Sequence, residues 1–340
     1  MTIKRQLSIV LLLPLAAACG LVAETANTGQ ANTGQAADGR VSAPSSSPQK
    51  RAVVTVAEAK KILARWDGAE NEAMRRGGTD WSAAEAGLIA EIHQAEVRLD
   101  RLRGETPSLT PEERIVQSRF AIPRAGTGTP WFMADFRRKG VQVWTQVVFA
   151  KTRAGWRMVA GSMSPYRTPA VARDGDGFAT VLAPDDRAGL VVSPRELART
   201  HARLLSTAGD DPRAKRLLVD NFWTGVYADT HKQDREEMPA GWNLRRDTQP
   251  ARELYALRTT SGKALVWYGI TEEDTYTAGS GAAGLKFWDG TLAKPLSKGK
   301  TFREKAVYKR ASMYFAVVPK SSGKVAVTWG DYGYMSVTGS

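Results

Sequence analysis

Cysteine and histidine are nearly missing from this chain of 340 residues: there is one cysteine, Cys19, and three histidines, His93, His201 and His231. A single thiol excludes any disulfide within the chain, so the fold must be held by its core even in an oxidising compartment. Zinc centres draw on several Cys and His ligands, and the chain owns too few; no metal and no cofactor is expected. His201 lies four residues from both Leu197 and Leu205, on the apolar stripe of a helix, where a core histidine with satisfied nitrogens is expected. His93 and His231 stand three residues before Glu96 and Asp234, the spacing of solvent-exposed charge pairs on a helix. No feature points to a Ser-His-Asp triad. Long apolar runs are absent too. The one run, about a dozen residues from Leu7, is shorter than the roughly 20 needed to span a hydrocarbon layer.

Strings that look catalytic lack their context. Gly279-Ser-Gly281-Ala-Ala-Gly284 has dinucleotide-fingerprint spacing but no strand-helix-strand unit around it, so it reads as a loop. Asp174 and Asp176 begin like a calcium loop, yet Phe178 and Ala179 follow where an oxygen ligand and a glycine are needed, which indicates a turn. Ser297-Lys-Gly-Lys300 and Ser321-Ser-Gly-Lys324 have the spacing of penicillin-recognising enzymes without opening helices.

What the chain does have is positive charge. The formal net charge is +13, and removal of residues 1–18, which carry Lys4, Arg5 and no acid, lowers it to +11. Residues 301–340 hold 6 basic and 2 acidic side chains, and the densest run gathers Lys294, Lys298, Lys300, Arg303, Lys305, Lys309 and Arg310. Outside a cell such a surface meets phospholipid head groups and anionic wall polymers, not nucleic acid.

Residues 1–18 combine two positive charges, an apolar core and small residues before Cys19, the layout of a secretory signal. The segment resembles a bacterial lipoprotein signal, and the resemblance implies cleavage before Cys19 and a diacylglyceryl group on its thiol. Residues 19–51 read as lipid anchor and disordered tether: the repeat Ala26-Asn-Thr-Gly-Gln30 and Ala31-Asn-Thr-Gly-Gln35 is followed by a Ser/Pro stretch with almost no large apolar side chain. A flexible segment of this length spans about 30 Å.

The remaining residues read as an α+β protein of two tandem modules, 52–164 and 192–340, joined by a linker at 165–191. In the first, the capping box Thr55-Val-Ala-Glu58 opens a helix through Ile62, Leu63, Trp66 and Ala73, and Ser82-Ala-Ala-Glu85 opens a second through Leu88, Ile92, Ala95 and Leu99. Period-two patterns at 132–136, 141–149 and 156–159 then predict an antiparallel meander. In the second, Ser193-Pro194-Arg-Glu196 caps one helix, another is expected over 213–231, and strands follow at 253–258, 263–271, 306–318 and 324–328. Phe132 and Trp144 are 12 residues apart, as are Tyr255 and Trp267, which suggests a duplicated hairpin.

A helix pair followed by a curved antiparallel sheet resembles the cone of the nuclear transport factor 2-like superfamily. The layout as a whole resembles a family of actinobacterial lipoproteins built around a domain of unknown function. The first resemblance implies a space between helices and sheet in which some relatives place a ligand and an acid. Asp135, Glu272, Glu273 and Asp274 are the carboxylates on strands that could face it. Alternation sets Trp144 and Trp267 on the sheet faces turned from their helices, where they are expected to be covered by the other module or to form a partner-binding patch.

The reading expected from these features is a membrane-tethered binding or scaffold protein of the cell envelope, not an enzyme. Its partners would be the membrane through Cys19 and, through Lys298, Lys300, Arg303, Lys305, Lys309 and Arg310, an anionic wall polymer or another envelope protein. The alternatives are a pocket enzyme of the ketosteroid isomerase or polyketide cyclase kind, favoured by an unpaired buried carboxylate, and a structural wall-associated lipoprotein.

Overall fold

The computed structural model describes residues 51–340 except 108, 110, 127, 188, 227–231, 233, 237 and 288. Cys19, the tether and His231 lie outside the described residues. Helix α1 (Val56–Arg75) starts as its sequence dictates: Thr55 accepts from the Glu58 amide while Glu58 reaches back to the Thr55 amide. Its buried stripe, Ala59, Leu63 and Trp66, packs on the first sheet, where Trp66 meets Phe136 at 5.6 Å and Phe149 at 5.8 Å.

That sheet is a four-stranded antiparallel meander in the order β1 (Ile115–Ala121), β2 (Trp131–Arg138), β3 (Trp144–Thr152) and β4 (Gly155–Ser164). A second meander repeats the order with longer strands: β5 (Trp242–Arg258), β6 (Ala264–Ala278), β7 (Lys305–Val318) and β8 (Ala326–Gly339). The fold is therefore α+β with two sheet modules. Residues 165–191 are stitched into both halves, with Ala179 bridging Pro123 and Val181 bridging Leu257.

Helix α2 (Leu88–Leu102) departs from the expected plan. The Ser82-to-Glu85 box does not cap it; residues 84–86 instead exchange backbone hydrogen bonds with Met158, and Gly87 at φ 67° turns the chain into the helix. Nor is α2 confined to the sheet of its own module, because it lies across β7 and β8. Two glycines permit the approach: a Cβ on Gly333 would stand 2.9 Å from the Ile92 Cα, and one on Gly269 would stand 2.6 Å from Leu88 Cδ2.

The second module keeps one full helix, α3 (Pro194–Ser206), capped by Ser193 and opened by proline. The helix expected over 213–231 is cut short as α4 (Pro212–Leu217), because residues 217–219 pair with Val325. A single wide helical turn, Phe222–Val226, and a short α5 (Ala293–Ser297) also lie among the described residues. On β6 the even positions Ala264, Val266, Tyr268 and Ile270 join a core with α3, while Leu265 and Trp267 join the core of the first sheet. The proposed hairpin duplication does not survive the register. Tyr255 pairs directly with Trp267 across the first two strands of its sheet, whereas Phe132 and Trp144 belong to the second and third strands and Phe132 pairs with Phe149.

Candidate functional site

Five of the residues singled out from sequence, Asp135, Trp267, Glu272, Asp274 and Arg310, meet in two buried polar networks. In the first, Asp135 is 1% exposed and takes hydrogen bonds from Arg119 Nε at 2.7 Å, Thr168 Oγ1 at 2.8 Å and Gln146 Nε2 at 3.4 Å. Ser162 Oγ donates to Gln146 Oε1 at 2.9 Å and accepts from Trp267 Nε1 at 3.1 Å. A hydrogen-bonded line thus runs from the first sheet into the second, Asp135 at one end and Trp267 at the other. Asp135 is no free pocket acid.

Trp267 is fully buried in this shared core and packs against Phe315 with the rings tilted at a centroid distance of 4.8 Å, so it cannot serve a partner in the folded state. Trp144 is 8% exposed and is covered differently. Three guanidinium groups surround its indole, those of Arg119 at 5.4 Å, Arg167 at 5.5 Å and Arg137 at 5.9 Å. Cation–π attraction of this kind favours a ring that is shielded from water yet flanked by charge.

The second network fills the helix-facing side of the second sheet. Arg246, Asp274 and Arg310 lie on adjacent strands, brought together by the register Arg246↔Asp274 and Glu272↔Arg310. Arg246 Nε and Nη2 grip the two oxygens of Asp274 at 2.6 and 2.7 Å, and Arg310 Nη2 adds a bond at 2.8 Å. Arg310 also stands 3.5 Å from Glu272, and Arg246 reaches Asp234 at 3.1 Å. Such forks are the strong form of charge-assisted hydrogen bonding. Both carboxylates expected in a pocket are therefore ion-paired, and Arg310, expected on a basic surface, is buried among them because even positions of β7 face inward.

Deeper in the same face, His201 Nδ1 meets the Tyr268 hydroxyl at 2.9 Å and Nε2 meets the Trp223 carbonyl at 3.2 Å. Burial depresses this imidazole to about 4 and raises the Tyr268 hydroxyl well above its ordinary value. His201 is the core histidine its stripe predicts. His93 is not the exposed partner of Glu96 that its spacing predicts, since its Nδ1 lies 2.9 Å from Oε1 of the buried Glu85. Burial pulls its pKa down, but the Glu85 carboxylate outweighs that and brings it to about 10. Nearby Glu96 is raised to about 7, first by burial.

The two histidines act in opposite directions on stability. His93, with a folded pKa above the ordinary 6.5, stabilises fully below pH 6.5 and loses that contribution as pH rises towards 10; His201, depressed to about 4, stabilises above pH 6.5 and loses it as pH falls through 4. Thermal melts are expected to fall on both sides of a neutral optimum. His93→Gln is expected to flatten the alkaline limb while leaving the acid limb, and an unchanged alkaline limb would show that the Glu85 pair does not govern it.

The basic run divides. Lys298, Lys300, Arg303 and Lys305 are exposed at the end of the second sheet where α5 and residues 298–304 close over Phe287, Phe302 and Tyr308. Lys300 lies over the Phe302 ring at 5.4 Å, and Lys298, Arg303 and Lys305 have no carboxylate partner among the described residues. Lys309 is drawn off by Glu273 at 3.1 Å, and Lys294 pairs with Asp289. Arg246 and the Glu85–His93 pair were not singled out from sequence. Arg246 falls in residues 242–250, which lack a clean apolar alternation because two of the inward positions, Arg246 and Thr248, are polar, and only the register with Asp274 reveals it.

An α+β protein of two meander sheets, with Asp135, Glu272 and Asp274 held by arginine and a group of exposed cations at one end of the second sheet, is the class these features define. The chain belongs to the family of the domain of unknown function DUF8094, whose model matches residues 50–339 and so takes in both sheets. No curated protein matches the sequence. Among solved structures, the intermembrane space region of the chloroplast protein ARC6 is similar at 14% identity over 41% of this chain and 93% of that one, with a TM-score of 0.23 that carries no argument about fold or function.

Proposed function

We propose that the protein is a lipid-anchored, extracytoplasmic binding protein of the cell envelope, holding anionic envelope polymer at the basic end formed by Lys298, Lys300, Arg303 and Lys305. The observation that carries this reading is the division of charge. Arginines neutralise the inward acids Asp135, Glu272 and Asp274, while Lys298, Arg303 and Lys305 stay exposed without a carboxylate partner among the described residues. A general base needs a carboxylate or imidazole free to take a proton within reach of a substrate. Asp274 is gripped by two guanidinium groups and Asp135 by Arg119, which weighs against a ketosteroid isomerase-like or cyclase-like pocket. The likeness to nuclear transport factor 2-like cones belongs to this proposal and concerns shape alone.

The anchor part of the reading rests on the apolar signal ending at Cys19, with two acyl chains making membrane attachment stable. The test joins the two parts. Cys19→Ala is expected to release the protein from the membrane fraction or leave its signal uncleaved. The released protein should bind purified wall polymer at low salt and lose that binding steeply as the screening length shortens to about 8 Å at physiological salt. Replacing Lys298, Arg303 and Lys305 together by alanine should abolish it. A Cys19→Ala protein still processed and membrane-bound overturns the anchor; polymer binding that ignores salt, or is absent at low salt, overturns the basic end.

A further inference from the structure

On the opposite side of the second module from any interface between the sheets, α3 and the edge strand β5 leave an open cleft of about 420 Å3 between them. That is within the size range of small-molecule sites, about 300–1,000 Å3. Two of its lining residues carry buried donors that nothing satisfies. Arg246 has a side chain with no exposed surface, and its Nη1 has no hydrogen-bond partner, although Nε and Nη2 are fully engaged by Asp274 and Asp234. Thr248, two residues along the same strand and 7% exposed, has an Oγ1 with no partner either. Residues i and i+2 of a strand share one face about 7 Å apart, so both donors belong to one wall.

Buried donors left unmet cost about 1–3 kcal/mol each, and native folds carry few of them. The rest of the cleft supplies charge of the matching sign. Arg199 is exposed on its rim and makes no ion pair among the described residues, while Arg203, one helical turn on, is already paired with Asp211 at 3.5 Å and Glu196 at 3.7 Å. The lining acids are already occupied: Glu196 is turned to Arg213 at 2.9 Å, and Asp247 accepts from Gln249 at 2.8 Å.

We propose that this cleft binds a small molecule by an oxyanion group, a phosphate or a carboxylate, which accepts from Arg246 Nη1 and Thr248 Oγ1 with Arg199 at the rim. Asp274 acts here as the positioning residue, since its two bonds hold the guanidinium with Nη1 left over. The site is separate from the basic end and does not depend on the envelope reading.

Calorimetric titration of the purified full chain with inorganic phosphate, and in parallel with acetate, tests it. Saturable one-to-one binding is expected with at least one of them, and the tighter of the two identifies the group. Thr248→Val keeps the shape of a side chain whose hydroxyl bonds nothing, so the variant should fold as well as the parent and bind about tenfold more weakly. Thr248→Ser should restore binding, Arg199→Ala should weaken it, and the Lys298, Arg303 and Lys305 triple variant should leave it unchanged. No saturable binding of either anion would assign the donors to buried water and overturn the proposal, as would binding untouched by Thr248→Val or lost in the triple variant.

Discussion

Asp274→Ala is expected to cost the fold about 3–5 kcal/mol, the scale for removing one partner of a buried ion pair. The carboxylate is the common acceptor of Arg246 and Arg310, its side chain and that of Arg246 have no exposed surface, and its loss leaves two guanidinium groups facing one another across β6. Asp234, 31% exposed, lies 3.1 Å from Arg246 and 3.9 Å from Arg310 and compensates in part. Urea titration should show a lower midpoint with little change in slope. The exposed pair of Glu72 with Arg75 and Arg76 provides the contrast, because Glu72→Ala should leave the midpoint nearly unchanged. A loss of similar size for both variants would mean that the inward network is no more than a set of surface contacts.

Trp267→Ala should be comparably severe, about 3–5 kcal/mol for a large core truncation, and its distribution matters more than its size. The indole is part of a core that includes Phe132, Phe149 and Val148 of the first sheet as well as Met313 and Phe315 of the second, and its N–H ends the line from Asp135 through Gln146 and Ser162. The expected result is one cooperative transition in which amides of β2–β4 and β6–β7 lose hydrogen-exchange protection together. Trp267→Phe keeps the ring contact and removes the donor, so it should cost less. First-sheet amides that keep full protection in Trp267→Ala would mean that the sheets are independently stable.

Much of this architecture is written locally. Thr55 with Glu58, and Ser193 with Pro194 and Glu196, announce their helices because capping depends on side chains three residues apart. The alternation of Ala264, Val266, Tyr268 and Ile270 announces the face turned to α3, and it correctly sends Trp267 the other way. Residues whose role depends on distant partners were not legible. Ser82-to-Glu85 has the composition of a cap, but Glu85 is claimed by His93 and its backbone neighbours by Met158. Leu218 continues a helical stripe, yet Val325 draws it into an extended bridge. The basic run divides for the same reason: strand period sends Lys309 and Arg310 to opposite faces, and Glu272 and Asp274, the acids expected in a pocket, hold Arg310 inside.

The docking of α2 across β7 and β8 also sets a timetable. Chains fold from the N-terminus as they are made, and Ile92 exists long before Gly333, the glycine that lets it seat. Until β8 arrives, the stripe of Leu88, Ile89 and Ile92 has only part of its final cover. The helix that follows α1 must wait for β8, and the core that the two sheets share waits with it. Contacts of such long sequence separation slow folding, and the interval they impose is one in which an apolar helix is open to chaperones, to proteases or to the same helix of a neighbouring nascent chain.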